Sequence, residues 1–337
     1  MNRAVRNRYP SGDEQTVTAL HKLVAERGYK GRVVPAAHLN DLRDDIERNH
    51  STNQFCEEFF QESLTGFDFG ALGEWPEAKS VIIIAMPQPL FRVTFELNGQ
   101  TIPLIIPPTY SFATDARVEA ECAEVLSTGG YSLMKRSLPL KSLAVHSGLA
   151  KYGKNNLVYV DSMGSYCRLI AFYSDLTVSD SDWREWTVMD QCSRCQACKK
   201  ACPTAAIDQG RFLLRAEKCL TFLNERKQPF PAWLDESAHH CLVGCISCQT
   251  VCPANRQVEM QVETVANFTQ LETEQVLQGG SDREVADLIS KKLGGFDCVG
   301  NMPQLTRNLR ALFDRTQNRE RGWKMIRRPK HSEDGHV

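Results

Sequence analysis

The sequence predicts an α+β protein in three parts. These are a mixed α/β N-terminal domain over residues 1–180, a cysteine-rich domain over 181–256 and a short helical region over 257–337. Three observations predict this division. Strand-like apolar runs alternate with helix-like periods up to about residue 180. Nine of the 13 cysteines lie between positions 192 and 252. Beyond 257 the chain is polar, with Gly279-Gly280 and Gly294-Gly295 as breaks.

Within the first part, Val17, Leu20 and Val24 give residues 13–29 a helical period. The run Val81-Ile-Ile-Ile-Ala-Met86 makes Ser80–Met86 a buried strand, bounded by Pro87 and Pro89. Asn98-Gly99 between apolar stretches predicts a hairpin over 98–109, closed by Pro107-Pro108. Thr114 to Lys135 reads as a helix interrupted near Gly129-Gly130. Leu157–Val160 and Cys167–Tyr173 read as strands joined by a turn at Ser162-Met163-Gly164.

At 337 residues the chain can bury a sizeable core, and its length corresponds to about two domains. Forty basic against 41 acidic side chains leave a net charge of −1, so no global charge calls for nucleic acid or a membrane surface. No apolar run approaches a membrane span, and the N-terminus has no apolar stretch of the secretory kind. Closely spaced cysteines indicate metal ligation rather than cross-linking. The expectation is a reduced, cytoplasmic compartment without a membrane partner.

The chemistry is carried by two cysteine runs. Cys192-x2-Cys195-x2-Cys198-x3-Cys202-Pro203 is the bacterial ferredoxin spacing. Three neighbouring thiolates hold three corners of one [4Fe–4S] cube, and the fourth reaches a second cube. Zinc sites use pairs rather than a triplet followed by Cys-Pro. Cys241-x3-Cys245-x2-Cys248-x3-Cys252-Pro253 repeats the ending, so the 181–256 domain is predicted to be ferredoxin-like with two clusters. In the crossed arrangement Cys192, Cys195, Cys198 and Cys252 hold the first. Cys202, Cys245 and Cys248 supply three ligands to the second, and the spacing leaves Cys219 and Cys241 both open as its fourth.

These motifs resemble the epoxyqueuosine reductases, cobalamin-dependent iron–sulfur enzymes of tRNA queuosine synthesis related to reductive dehalogenases. The resemblance spans about residues 132–255, with an echo at Arg307-Asn308. It includes Gly148-Leu149-x3-Gly153-Lys154-Asn155, Gly164-Ser165, Arg215-x3-Cys219 and Gly244-Cys245-x2-Cys248-Gln249-x-Val251-Cys252-Pro253-x-Asn255. It implies Cys219 as the eighth ligand. It also implies a base-off cobalamin between the first two domains, with Gly153, Lys154 and Asn155 beside a cofactor, and an electron donor of the flavodoxin or ferredoxin type. The sequence departs from the family where an acid is expected three residues before Pro139: Arg136 stands there, and a guanidinium is a poor proton donor. A fixed cation at that place implies an anionic ligand and weak epoxyqueuosine reduction, hence a divergent paralogue acting on a small molecule or on tRNA.

Other residues carry weaker signals. Gly148-x4-Gly153-Lys154 has part of a P-loop pattern but continues with Asn155, so the magnesium-binding hydroxyl is missing. His146, ahead of the glycine loop, is a candidate acid or base, as are Tyr110 and Tyr131. His239-His240 reads as an exposed polar turn. Cys56, Cys122, Cys167 and Cys298 read as buried thiols. Arg315–Lys330 is a basic stretch, read as a solvated tail. The expected function is an iron–sulfur reductase. The competing class is an electron carrier or a corrinoid-reducing protein serving another enzyme.

Overall fold

The computed structural model describes residues 12–69, 78–179, 182–208, 210–279, 283–297 and 303–314. Cys298 and the basic stretch Arg315–Lys330 lie outside the described residues. In chain order the elements are α1 (Gly12–Glu26), β1 (Lys30–Pro35), α2 (Leu39–Ser51), α3 (Glu57–Ser63), β2 (Ser80–Pro87), β3 (Leu90–Leu97) and β4 (Gln100–Ile106). Then follow α4 (Asp115–Thr128), β5 (Leu133–Lys135), α5 (Leu140–His146), β6 (Lys151–Tyr152), β7 (Val158–Tyr159), β8 (Cys167–Ser174), α6 (Ala197–Ala201), α7 (Leu220–Glu225) and α8 (Ser247–Thr250). The described chain closes with β9 (Val262–Phe268), α9 (Gln270–Gln278), α10 (Arg283–Leu293) and a helix over 303–314, called α11.

The α+β class is as the sequence predicts. An antiparallel sheet in the order β1-β2-β8-β5 forms the N-terminal centre. Successive side chains of a strand point to opposite faces, and β2 uses both. Val81, Ile83 and Ala85 meet Leu39 and Leu42 of α2 and Leu143 to Val145 of α5. Ile82, Ile84 and Met86 meet Leu20 and Val24 of α1 and Val118, Cys122 and Leu126 of α4. An uninterrupted apolar run is what a strand covered on both faces requires.

A second sheet, β4-β3-β9, pairs β3 antiparallel with β4 and parallel with β9. Its hairpin turns on Asn98 and Gly99, both at positive φ, which suits the right-handed twist of the strands. The hairpin extends further than 98–109 because β3 already begins at Leu90. Phe91, Val93 and Phe95 build a core with Val276, Val285, Ile289, Leu305 and Leu309 from α9, α10 and α11.

Three local expectations are corrected. The helix expected from Thr114 to Lys135 ends at Thr128, and Leu133–Lys135 is an edge strand on β8. The strand expected at Leu157–Val160 is reduced to β7, which pairs with β6 rather than joining β8. The region from 257 is not helical at its start: Val262–Phe268 is a strand on the hairpin. After it, α9 is set locally, with a Thr269–Glu272 capping box and Gly279 in the left-handed C-cap conformation.

Asp115, at the start of α4, ties the two sheets together. It accepts from Arg168 Nε and Nη2 and from Lys135 Nζ, each at 2.8 Å. Arg168 Nη1 also donates to Thr109 O and Asp297. Burial acts to raise the Asp115 carboxyl, but the two cations outweigh it and hold it below the usual carboxylate range. Among the described residues no helix is long and apolar enough to cross a membrane.

Candidate cluster site

Between 190 and 255 the backbone makes short 3-10 and α turns around the cysteines, with α6 and α8 packed on each other. Eight thiols sort into two sets by the repulsion they exert on one another. Cys192 and Cys198 are both pushed up, first by burial and then by Cys252 and Cys195, and Cys192 acts on Cys198 as well. Cys245 is pushed to about 11 by burial, with Cys219 and Cys202 adding to it. The Cys248 thiol is raised further by burial, then by Cys245, Cys219 and more weakly Cys198. One set is therefore Cys192, Cys195, Cys198 and Cys252, and the other Cys202, Cys219, Cys245 and Cys248.

Thiols packed this way are costly unless a positively charged group shares their protons' place. The surroundings are made for thiolates, since N–H and O–H donors converge on the sulfurs. Ala206 N–H donates to Cys202 Sγ at 3.3 Å. Backbone donors also reach Cys192 from Lys154, Cys198 from Lys199, Cys219 from Thr221 and Phe222, and Cys245 from Ser247. Among the described residues, no three His, Cys, Asp or Glu side chains converge closely enough to hold a single metal ion.

Cys241 stands apart. It is 1% exposed, packs with Leu90, Tyr166 and Ile246, and is followed by Leu242, whose N–H donates to Ile105 O. Burial holds its thiol far above the usual value, with Cys245 as the neighbouring charge.

The glycine loop serves the cysteines. Lys154 Nζ donates to Ser193 O, and the Asn155 side chain bonds Tyr159 Oη at 3.0 Å and Cys248 Sγ. Tyr159 Oη in turn donates to Cys252 Sγ. Cys248, Asn155, Tyr159 and Cys252 thus form a hydrogen-bonded chain from one set of thiols to the other. Burial and the Cys252 bond push the Tyr159 hydroxyl far up. A Cβ on Gly153 would stand 2.6 Å from Asn155 Oδ1 and from Tyr159, and one on Gly148 would stand 2.3 Å from Arg184. These glycines make room for the protein's own side chains.

His239 and His240 do not form an exposed turn. His239 is 2% exposed and packs on Phe230. His240 Nδ1 donates to Ala238 O, and Nε2 takes the Ile246 N–H at 3.2 Å and lies 3.5 Å from Cys245 Sγ. His146 is buried, with Nδ1 donating to Arg184 O at 2.7 Å and Nε2 3.2 Å from Asp45. Its ring stacks on Trp183, so it is a structural histidine. Arg136 does not offer a free cation: its Nε lies 3.3 Å from Asp68 Oδ2. Tyr131 bonds Asp13 on the α1 side of the sheet, away from the cysteines. Cys122 and Cys167 are buried thiols pushed to about 12, while Cys56 is only half-buried.

Tyr110 does face the cysteine region. Its hydroxyl donates to Glu225 Oε1 at the end of α7. Lys141 of α5 feels the charges of Cys219, Glu225 and Cys248. The Lys141 side chain keeps exposed surface. Burial lowers its ammonium and raises the Glu225 carboxyl, each partly offset by the other. Arg307 and Asn308 hold this end of α7: Arg307 Nη2 donates to Leu223 O and Asn224 O, and Asn308 Nδ2 to Asn224 O and Leu242 O. Neither Lys141 nor Glu225 belongs to a motif. Only the position of Glu225 six residues after Cys219 hints that it sits near a cluster.

Residues 191–255 match the family described as 4Fe-4S double cluster binding domain. Epoxyqueuosine reductase of Francisella cf. novicida is 33% identical over 144 residues, which cover 40% of this chain and 38% of the relative. That of Pseudomonas aeruginosa is 34% identical over 143 residues, covering 42% and 37%. The chain thus spans well under two thirds of these relatives. Among solved structures, epoxyqueuosine reductase from Bacillus subtilis superposes with a TM-score of 0.67 at 20% identity, covering 94% of this chain and 87% of that one. An epoxyqueuosine reductase with an epoxyqueuosine-modified tRNA-Tyr stem loop gives 0.65 at 19% identity, covering 89% and 81%. By sequence and by fold this chain is epoxyqueuosine reductase-like, and it carries a 4Fe-4S double cluster binding domain.

Proposed function

We propose that the chain is an iron–sulfur reductase that delivers single electrons to an acceptor bound beside Tyr110, Lys141 and Glu225. In this reading Cys192, Cys195, Cys198 and Cys252 hold the first cluster. Cys202, Cys219, Cys245 and Cys248 hold the second, and Cys241 is free. The observation that carries the reading is the grouping of eight thiols by mutual repulsion, while Cys241 packs among Leu90, Tyr166 and Ile246 and feels only Cys245. Bound clusters supply one-electron transfer at low potential.

The chain's own residues do the rest. Backbone N–H groups of Lys154, Lys199, Thr221 and Ser247 stabilise the thiolates. His240 fixes the loop before Cys245. Lys141 and Glu225 set the charge beside the second set of thiols. The electron donor in this reading is of the flavodoxin or ferredoxin type, and the compartment is cytoplasmic.

Cobalamin is implied by the resemblance, but the glycine loop does not fit one. Gly148 and Gly153 abut Arg184, Asn155 and Tyr159, and Lys154 and Asn155 are turned to Ser193 and the cysteines. The electron path proposed here therefore ends beside Tyr110, Lys141 and Glu225, on whichever electron-accepting group binds there.

Anaerobic reconstitution tests the reading. About eight iron and eight sulfide per chain are expected for two cubes; zinc, or half that iron, would overturn it. An epoxyqueuosine-modified tRNA stem loop is the first acceptor to assay. Turnover assigns the relatives' substrate to this chain, and none with both clusters loaded assigns a different one.

A further inference from the structure

The two cysteine runs differ in charge, which ligation alone does not require. Arg194, Lys199 and Lys200 stand between Cys192 and Cys202 with no acid among them, whereas Cys241 to Cys252 contains no charged residue. Arg194 and Lys200 are exposed. Lys154 joins them from the glycine loop: its Nζ donates to Ser193 O at 3.2 Å, and its charge acts on the Cys192 thiol. Acids of the flanking segments are partly engaged, since Asp182 pairs with Arg184, and Asp208 and Glu217 pair with Arg215. Glu185 and Asp190 remain against the four cations, so this face stays positive.

A rigid aromatic platform adjoins these charges. Trp186 is 42% exposed, yet its ring is held in place. It stacks on Phe212 with ring centroids 4.3 Å apart, and Tyr152 meets the two rings at 6.3 and 5.1 Å. The backbone joins this platform to the first cysteine run. Tyr152 N–H donates to Thr187 O, Met189 N–H to Tyr152 O and Cys192 N–H to Met189 O. We propose that Trp186, with Lys154, Arg194, Lys199 and Lys200 around it, is the docking surface for an acidic one-electron carrier protein. The inference rests on the reductase reading above and places the carrier's entry at the first cluster. The carrier's reduced group loses one electron and the first cluster gains it; no bond breaks and no proton has to move.

Several features suit the face to this partner. Cys195 and Cys198 are only half-buried, so a cluster held by the first set has a thin cover on this side. A large ring fixed at the surface and bordered by charge has the composition of a protein–protein anchor, because it contributes contact area without losing rotamer freedom on binding. Redox partners meet in small, transient interfaces and depend on charge to find them. Complementary charge raises such association rates by about 10- to 1,000-fold. A single-stranded nucleic acid would instead need cations spread along a groove and several stacking rings in succession. Here the four cations gather about one set of thiols, and Trp186 is the exposed ring of its cluster, with Phe212 and Tyr152 half-buried beneath it.

The test uses the full chain, reconstituted anaerobically, with an acidic [2Fe–2S] ferredoxin as the probe. Stopped-flow absorbance follows electron transfer from the reduced probe, and calorimetry follows binding of the oxidised one. The wild-type rate should fall about tenfold between about 0.01 and 0.3 M salt, as screening shortens the reach of the charges. Combining Arg194→Gln, Lys199→Gln and Lys200→Gln should slow transfer about tenfold at low salt and flatten the salt dependence. Trp186→Ala should weaken binding about tenfold and keep the salt dependence. Lys22→Gln, Arg43→Gln and Lys291→Gln together remove the same charge from α1, α2 and α10 and should leave the rate within about twofold. A salt-independent wild-type rate, or equal slowing by this second triple, overturns the proposal. Should the first triple lose a cluster, unchanged binding in Trp186→Ala overturns it equally. An RNA stem loop that loses binding in these variants while the probe keeps its own would assign the face to nucleic acid and overturn it as well. Failure of the wild type to load two clusters refutes the reductase reading instead, so the two failures are distinguishable.

Discussion

Replacing Tyr159 with Phe tests how the two clusters are coupled. The hydroxyl donates to Cys252 Sγ and accepts from Asn155 Nδ2 at 3.0 Å. Phe preserves the ring, which is 6% exposed and packed beneath the glycine loop, so the perturbation is one hydrogen bond and little volume. A hydrogen bond to a charged acceptor contributes about 1.5–3 kcal/mol net. Reduction adds one electron to the cluster and strengthens that bond. If about a third of its energy depends on the redox state, the difference is about 0.5–1 kcal/mol. At about 59 mV per tenfold change for one electron, that corresponds to a fall of about 20–45 mV in the first-cluster potential. EPR-monitored redox titration of the reconstituted protein measures it. Tyr166→Phe is the control, because the Tyr166 hydroxyl bonds Asn255 and feels Cys252 only through space. An unchanged or raised potential would refute the reasoning. A shift confined to the second cluster would show that Cys252 is not a first-cluster ligand.

The other expectations concern ligation, packing and pH. Cys219→Ala should lose the second cluster by iron analysis and EPR, whereas Cys241→Ala should keep both and lose only the packing of a buried small side chain; the opposite pattern would reverse the assignment. Gly244→Ala places a Cβ 2.4 Å from Tyr110 Oη at a φ of +63°, so it should separate Tyr110 from Glu225 and lower stability in urea unfolding. Asp115→Asn leaves Arg168, a mostly buried cation, without its main partner; about 3–5 kcal/mol of stability should be lost in urea unfolding. The Asp115 carboxyl lies lower in the folded chain than its unfolded value of about 3.9. Its stabilisation is therefore complete above that value and disappears as pH falls through the folded value. Acid unfolding of Asp115→Asn should lack this component.

Some of this protein is written locally in its sequence. The cysteine spacing specifies two clusters because a cube's corners must be met by neighbouring residues of one turn, and Cys192, Cys195 and Cys198 sit within seven residues. The run at 81–86 specifies a buried strand, and Asn98-Gly99 specifies the β3–β4 hairpin, because pleat and turn depend on adjacent residues alone. Tertiary structure decided the rest. Val262–Phe268 carries β-branched Val262, Thr264 and Val265 but also Glu263 and Asn267, so its local signal is mixed, and it is a strand because β3 offers it an unpaired edge. Local spacing could not choose between Cys219 and Cys241. Their difference lies in surroundings, since one thiol stands among Cys202, Cys245 and Cys248 and the other packs among Leu90, Tyr166 and Ile246. Tyr110 and Glu225 are 115 residues apart in the chain, and Lys141 belongs to a third element. No periodicity records such a meeting. It exists because folding brings α5, α7 and the turn after β4 together, where burial gives a carboxyl and an amine proton affinities that their sequence neighbours do not determine.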